Sequence, residues 1–92
     1  MEQICISIDC EATGENIKNL IRSKGLKVRE IQEATGLSDY RSVYKWFRGE
    51  KLPSLENLLI LCLLLQMHID DMIVCRGGKN AFFRDIEEDN ER

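Results

Sequence analysis

One stretch, residues 36–49 with the sequence GLSDYRSVYKWFRG, constrains the fold more than any other part of the chain. Gly36 favours a sharp turn because glycine tolerates a positive φ. Ser38 or Asp39 can cap a following helix by accepting its orphan backbone N–H groups. Gly49 is typical of the left-handed residue that ends a helix. The stretch therefore predicts a tight turn followed by one short helix.

This predicted helix, residues 39–48, has two chemically different faces. Val43 and Trp46 share an apolar face, which we expect to be buried. The other side carries groups that can reach base edges or phosphates: Tyr40, Arg41, Ser42 and Lys45. A turn between two helices, with such a face on the second, is the arrangement that helix-turn-helix proteins place in the major groove.

Helical periodicity predicts two helices before the turn. Thr13 is the expected N-cap of the first, and Gly25 its end. Its apolar residues are three and four apart: Ile17, Leu20 and Ile21. The second helix covers residues 27–35. Its inward positions are Val28, Ile31 and either Ala34 or Thr35.

A gapless apolar run, LLILCLLL at residues 58–65, lies in the helix expected after Ser54. Eight residues are too few to span a bilayer. At about 100° per residue, one face holds Leu55, Leu58, Leu59, Cys62 and Leu65, and the opposite face holds Ile60, Leu63, Leu64 and Met67. The second face needs a cover because a helix that is apolar all round is buried all round. Either the chain's own arms or a second copy of the chain can supply it. A short fifth helix is expected over residues 69–74.

The two ends of the chain differ in pattern from the helical middle. Residues 3–8, QICISI, alternate as a strand does, although a disordered arm with incidental alternation is an open alternative. A lone strand must pair, and residues 80–86, NAFFRDI, offer a partner. We therefore expect an N-terminal arm at 1–13, a helical domain at 14–75 and a tail at 76–92 whose acidic end is disordered.

The charge of the chain is unevenly distributed. The net charge is −3, yet residues 15–76 hold ten Lys/Arg and eight Asp/Glu and net +2. The two ends hold three basic and eight acidic residues and net −5. The middle is therefore mildly basic, which is weak evidence for nucleic-acid binding because such domains are often far more basic.

Other classes of protein find little support in the sequence. The four cysteines include no CxxC pair, and the only histidine is His68, so we expect reduced cysteines and no metal or other cofactor. No His-based triad or phosphate loop is present, so we expect no enzyme. The N-terminus lacks the basic start and apolar run of a secretory signal. We expect a cytoplasmic protein with no membrane partner.

Two longer stretches resemble the Cro/repressor-like (XRE-type) helix-turn-helix regulators. They are ENIKNLIRSKGLKVREIQEATGLS at residues 15–38 and VYKWFRGEKLPSLENLLILCLLLQMHIDDMIV at 43–74. The run W-x-x-G-x-x-x-P-S-L-x-x-L-x-x-L followed by I-D-D-M-I is specific in combination. The resemblance implies an all-α, five-helix lambda-repressor-like DNA-binding domain, here with short and possibly β-forming arms. It also implies double-stranded DNA as partner, and no small-molecule effector is evident.

The resemblance assigns roles to individual positions. The third helix enters the major groove while the second spans the backbone. The base-reading positions are Tyr40, Arg41, Ser42 and Lys45. The phosphate positions are Lys27, Val28, Arg48 and Lys51, where Val28 stands at the place of a common phosphate-clamping glutamine. The spacing from Gly36 to Val43 is one residue longer than usual, so the facing of residues 39–42 is open by one position.

Two functions remain open at the level of sequence. The first is a sequence-specific DNA-binding transcriptional regulator, either a repressor or an autoregulator, acting as a homodimer through the face of Ile60, Leu63, Leu64 and Met67. The alternative is a protein-interaction module on the same fold, such as an antitoxin-like or adaptor partner without DNA binding. The acidic net charge, Asp39 and the long apolar face favour this alternative.

Overall fold

The computed structural model describes residues 6–76, which contain five helices and two short strands. In chain order they are β1 (Ser7–Ile8), α1 (Cys10–Ser23), α2 (Val28–Thr35), α3 (Arg41–Phe47), α4 (Leu55–Leu65), α5 (Ile69–Met72) and β2 (Cys75–Arg76). The expected five-helix fold with strand-forming ends is confirmed. In this part of the chain no helix combines the length and the apolar character needed to cross a membrane.

The start of α1 corrects a prediction, because the helix begins at Cys10 and Thr13 is not its N-cap. Asp9 takes that role, and its Oδ1 accepts the N–H of Ala12 at 3.0 Å. Thr13 is fully buried. Its hydroxyl accepts the N–H of Val74 at 2.9 Å. The threonine therefore joins α1 to the segment before β2 instead of opening the helix.

The two strands pair antiparallel, with Ser7 opposite Arg76 and Ile8 opposite Cys75. An ion pair at 3.3 Å between Asp9 and Arg76 stands beside this ladder. The hydrogen bonds that the Asp9 carboxylate accepts, first from the backbone and then from Arg76, hold the pKa of Asp9 below its usual value. The N-terminal arm thus pairs with residues 75–76 of the same chain, at the end of the predicted helical domain. The proposed partner segment at 80–86, like residues 3–5, lies outside the described residues.

A second contact between α1 and the end of the fold is made by Asn16. Its Nδ2 donates to the carbonyls of Asp71 at 3.0 Å and Met72 at 2.9 Å. These carbonyls lie at the end of α5, where the helix itself offers no partner. A helix of four residues has little stability alone, so α5 depends on this contact and on the burial of Met72.

One apolar core unites the helices. Its buried members are Ile17, Ile21, Ile31, Val43, Trp46, Leu61, Leu65 and Met72. Ile17 and Ile21 of α1 are buried, and Leu20 packs against the core. Val43 and Trp46 of α3 are buried as well. The predicted inward residues of both helices are therefore confirmed. In α2, Ala34 is exposed and Thr35 is half-buried, so Thr35 and not Ala34 is the third inward position.

The faces of α4 were partly mispredicted. Leu61, which was assigned to neither face, is fully buried together with Leu65. Leu55 and Leu59 were grouped on one face with Leu65, which is buried, but they are 69% and 55% exposed. A gapless apolar run offers no polar position to mark the outward side, so the contacts of α4 with α2 and α5 decide its rotation.

The predicted second face of α4 is also revised. Leu63 is 79% exposed and Leu64 36%, as expected of an uncovered face. Ile60 is half-buried. Met67 lies beyond the end of α4 and packs against the core, so placing it on this face was wrong. The exposed apolar surface, which we call the leucine face, consists of Leu55, Leu59, Leu63 and Leu64.

Two glycines let α1 approach the end of α3 closely. A Cβ on Gly14 would lie 2.1 Å from the carbonyl oxygen of Trp46 and 2.8 Å from that of Phe47. A Cβ on Gly49, whose φ is +74°, would lie 2.7 Å from Cα of Glu11. Backbone therefore meets backbone at this crossing, which leaves no room for a side chain.

We predict that Gly14→Ala destabilises the protein. Alanine in mid-helix normally adds stability over glycine, by roughly 0.5–1 kcal/mol. Here the methyl group forces the two helices apart, and overpacking of this kind costs about 1–3 kcal/mol. Urea unfolding measures the difference, with Glu15→Ala at the exposed neighbouring position as control. A stabilised Gly14→Ala variant would contradict the close approach.

We also predict that Trp46→Ala brings the domain close to unfolding. The side chain is 3% exposed, and truncation of a buried large aromatic costs roughly 3–5 kcal/mol. Small domains have only about 5–15 kcal/mol of stability. Thermal unfolding followed by circular dichroism tests this, with Tyr44→Ala, an aromatic 41% exposed on the same helix, as control. Equal melting temperatures for the two variants would refute the core assignment.

Candidate nucleic-acid interface

The turn between α2 and α3 is held by side chains on both sides. Gly36, with φ 72°, ends α2 in the left-handed conformation. Gln32 of α2 donates its amide N–H to the carbonyl of Leu37 at 3.3 Å. Asp39 Oδ1 accepts the N–H of Arg41 at 2.9 Å. The carboxylate therefore bonds the first N–H of the helix, but the predicted N-cap at Ser38 or Asp39 was wrong, because the N-cap is Tyr40 and α3 begins at Arg41 and not at residue 39.

The far end of α3 is closed by backbone hydrogen bonds. The N–H of Gly49 donates to the carbonyl of Trp46 at 3.1 Å, and that of Glu50 to the carbonyl of Lys45 at 3.0 Å. This paired pattern around a left-handed glycine is a Schellman motif, and it confirms Gly49 as the helix end. With both ends fixed and Val43 and Trp46 buried, the outward face of α3 has one orientation.

That orientation shows how the four base-reading candidates face. Tyr40 is 50% exposed, the side chain of Arg41 is 75% exposed, and Lys45 is exposed as well. Ser42 is half-buried and lies at the margin of the face. Three of the four candidates therefore share an exposed surface opposite the core, and the serine hydroxyl contributes least to it.

Tyr44 belongs to the same surface, and the sequence interpretation missed it. It is 41% exposed and follows Arg41 by three residues, the spacing that brings side chains together on a helix. Its ring meets Tyr40 edge to face with centroids 6.0 Å apart, and Phe47 likewise at 5.8 Å. Helical spacing counted from the buried Val43 and Trp46 is the signal that places Tyr44 outward.

Two cations of this region are next to carboxylates. Arg41 Nε lies 3.9 Å from Asp39 Oδ1, a loose ion pair between exposed groups, which contributes little to stability. Arg48 pairs with Glu50 in the turn after α3. Both arginines are exposed, so an anion can compete for them with their neighbouring carboxylates.

The remaining phosphate candidates lie on two sides of α3. Lys27 is exposed at the N-cap of α2, and its backbone N–H donates to Glu30 Oε1 at 3.2 Å. Val28 is half-buried and packs against the core, so only its backbone N–H, in the first turn of α2, is available to an anion. Lys51 is exposed in the loop that follows α3.

A cleft of about 790 Å³ lies beside this surface, between α1 and α3 and next to the start of α2. It brings together three of the four phosphate candidates, Lys27, Val28 and Arg48, but not Lys51. Tyr44 also lines it. Positive side chains from different elements thus surround one concave surface, which is suited to an extended anion.

The cysteines and carboxylates of residues 6–76 form no group that could hold a metal ion. Cys10, Cys62 and Cys75 have free thiols, and each is half-buried.

Several solved structures similar to this chain are controller or regulator proteins. Residues 17–72 match the family model for helix-turn-helix proteins. The restriction-modification controller protein C.AhdI from Aeromonas hydrophila is 28% identical, with a TM-score of 0.62 over 70% of this chain and 96% of that protein. The clp gene regulator ClgR from C. glutamicum is 31% identical, with a TM-score of 0.59 over 67% of this chain and 79% of that protein.

A transcriptional regulator from Listeria innocua is similar over 87% of this chain and 77% of its own, with 25% identity and a TM-score of 0.61. No curated protein matches the chain. These comparisons give no support to the alternative of a protein-interaction module without DNA binding. The family match covers more than half of the sequence, and the turn, the helix order and the core agree with it, so the chain belongs to the Cro/repressor-like (XRE-type) helix-turn-helix family of DNA-binding regulators.

Proposed function

We propose that the protein regulates transcription by placing α3 in the major groove of double-stranded DNA. The observation that carries this proposal is the exposed surface of α3, where Tyr40, Arg41 and Lys45 lie opposite the buried Val43 and Trp46. The major groove admits one α-helix and presents a distinct donor and acceptor pattern for each base pair. An exposed helix face rich in hydrogen-bond donors fits that pattern.

Within this surface, Arg41 is the strongest candidate for base recognition. A guanidinium can donate two hydrogen bonds to O6 and N7 of one guanine, which discriminates by about 1–3 kcal/mol against other bases. Tyr40 and Lys45 stand beside it, one position before and four after, and Ser42 borders them. Asp39 holds Arg41 loosely from the preceding turn and limits the directions in which it reaches.

The phosphate contacts flank this helix on both sides. Lys27 and the Val28 N–H lie at the start of α2, and Arg48 and Lys51 follow α3. Contacts to phosphates fix the position of a protein on the duplex without reading its sequence. In this proposal the flanking residues orient the protein on the duplex, and the exposed residues of α3 recognise the sequence.

We predict that Arg41→Lys weakens preference at one base pair while the salt dependence of binding is retained. Lysine keeps the charge but loses the planar pair of donors. Arg41→Ala loses both the base preference and part of the affinity. Lys51→Ala, by contrast, lowers affinity for all sequences alike and reduces the salt slope by about one unit. Binding of labelled duplexes selected from a random pool, with single base changes, measures all three variants.

The contrast between these variants tests the assignment. A ranking of base variants that is the same for Arg41→Lys as for the unmodified protein would remove Arg41 from the base-reading group. A lack of any duplex binding by the unmodified protein would refute the proposed function itself.

We further propose a homodimer formed through the leucine face of α4. Its four side chains are exposed, and exposed apolar surface of this kind is typical of an interface. Two-fold symmetry is the commonest in small oligomers. A two-fold dimer can present two recognition helices to successive major grooves, which are about 34 Å apart. The revised face replaces Ile60 and Met67 by Leu55 and Leu59, while Leu63 and Leu64 stay.

We predict that Leu59→Glu combined with Leu63→Lys gives a folded monomer. The pair stands at i and i+4, an orientation that favours the helix, while two charges oppose apolar association. Sedimentation equilibrium measures the mass, with Asn19→Glu combined with Ser23→Lys on exposed positions of α1 as the matched control. The control stays dimeric and the α4 variant does not. An α4 variant that sediments as a dimer would exclude this face.

The proposal includes a cytoplasmic site of action, since the DNA of a regulated gene is there.

A further inference from the structure

The cleft between α1 and α3 contains basic residues to which the family resemblance assigns no role. Lys18 and Arg22 of α1 line it together with the phosphate candidates Lys27 and Arg48. Four cations from α1, the start of α2 and the turn after α3 therefore surround one concavity. The two α1 residues are four apart, so they lie on the same side of that helix.

Among residues 6–76, neither α1 cation forms an ion pair. Arg22 is exposed and Lys18 half-buried, and the ion pairs formed among residues 6–76 involve other arginines. Glu11 and Glu15 lie on the same face of α1, nearer its N-terminus. These carboxylates repel an anion from that end of the cleft. They leave the end near Arg22 and Lys27 as the place where an anion is held.

The walls of the cleft also contain apolar and aromatic side chains besides the cations. Its apolar residues are Ile21, Leu26, Val28 and Phe47, and the exposed ring of Tyr44 lies beside them. A sugar–phosphate backbone alternates charged oxygens with largely apolar sugar edges. A surface that combines cations with apolar and aromatic groups fits this alternation better than it fits a small, fully hydrated anion.

We propose that Lys18 and Arg22 bind neighbouring phosphates of one DNA strand, with that strand lying over the α1–α3 cleft. In this arrangement α1 is a third DNA-contacting helix beside α2 and α3. The inference rests on the proposed function, because it extends the phosphate contacts of Lys27 and Arg48 along the same strand. It also explains why the cleft is basic at the end that adjoins those residues.

The test measures duplex binding of the full chain over a range of salt concentrations. Lys18→Gln combined with Arg22→Gln removes two phosphate contacts, so the slope of log K against log salt becomes shallower by about 1.8 units. The loss of affinity is the same for selected and unrelated duplexes, because phosphates carry no base information. Lys24→Gln, an exposed lysine at the same end of α1 that does not line the cleft, changes the slope by less than half a unit.

A second measurement locates the contacts on the DNA. Single phosphates of the selected duplex are replaced by neutral methylphosphonates, one position at a time. Neutralising either of two neighbouring phosphates is expected to weaken binding by the unmodified protein. The same replacements do not weaken binding by the double variant further, because the side chains that contact those phosphates are already absent. Circular dichroism melting of both variants verifies that the fold is retained.

Several results would overturn the inference. One is an unchanged salt slope in the double variant while Arg41→Lys still alters base preference, which would leave the proposed function intact. Another is a slope change in Lys24→Gln as large per charge as in the double variant, which would show a general charge effect. A third is the absence of duplex binding by the unmodified protein, which would remove both proposals. A fourth is that inorganic phosphate displaces the labelled duplex as effectively as unlabelled duplex does at equal phosphate concentration. That result would identify the cleft as a site for small anions.

Discussion

The approach of α1 to the last turn of α3 is the contact on which the rest of the structure depends. Gly14 faces the carbonyls of Trp46 and Phe47, and Gly49 faces the backbone of Glu11. With no side chain between them, the two helices keep a fixed distance, which sets the depth at which Trp46 enters the core. The same distance defines the width of the cleft, since Ile21 and Phe47 line it from opposite helices. The contact between α1 and α3 therefore determines both the stability of the fold and the shape of the candidate DNA surface.

The ends of the described chain are secured to the same helix. Thr13 and Asn16 of α1 bond to the segment that contains α5 and β2, and Asp9 joins it through the Val74 carbonyl at 2.8 Å. Short elements that have little stability of their own are therefore held by a long one. α1 serves as the common support, with α5 and β2 on one side and α3 on another.

The sequence predicted the helix order, the turn and the burial of Val43 and Trp46, because glycines, caps and apolar spacing act over a few residues. It was less successful where distant parts of the chain decide the outcome. Thr13 has the chemistry of an N-cap, but a buried bond to Val74, 61 residues away, uses its hydroxyl instead. The leucines of α4 look alike in sequence, so only contacts with α2 and α5 distinguish Leu61 from Leu59. The close packing of Gly14 against α3 has no local signature in the sequence.

The two sides of α3 have no residue in common, and this separation affects how such a protein can change. Val43 and Trp46 hold the helix in place, while Tyr40, Arg41, Tyr44 and Lys45 contribute little to the core. Substitutions at exposed positions usually alter stability by less than about 0.5 kcal/mol. Under the proposed function, new operator preferences can therefore arise through exchanges on the outer side of α3 without a compensating change elsewhere. The buried residues hold α3 in place independently of its outer residues, which applies to natural divergence and to deliberate redesign alike.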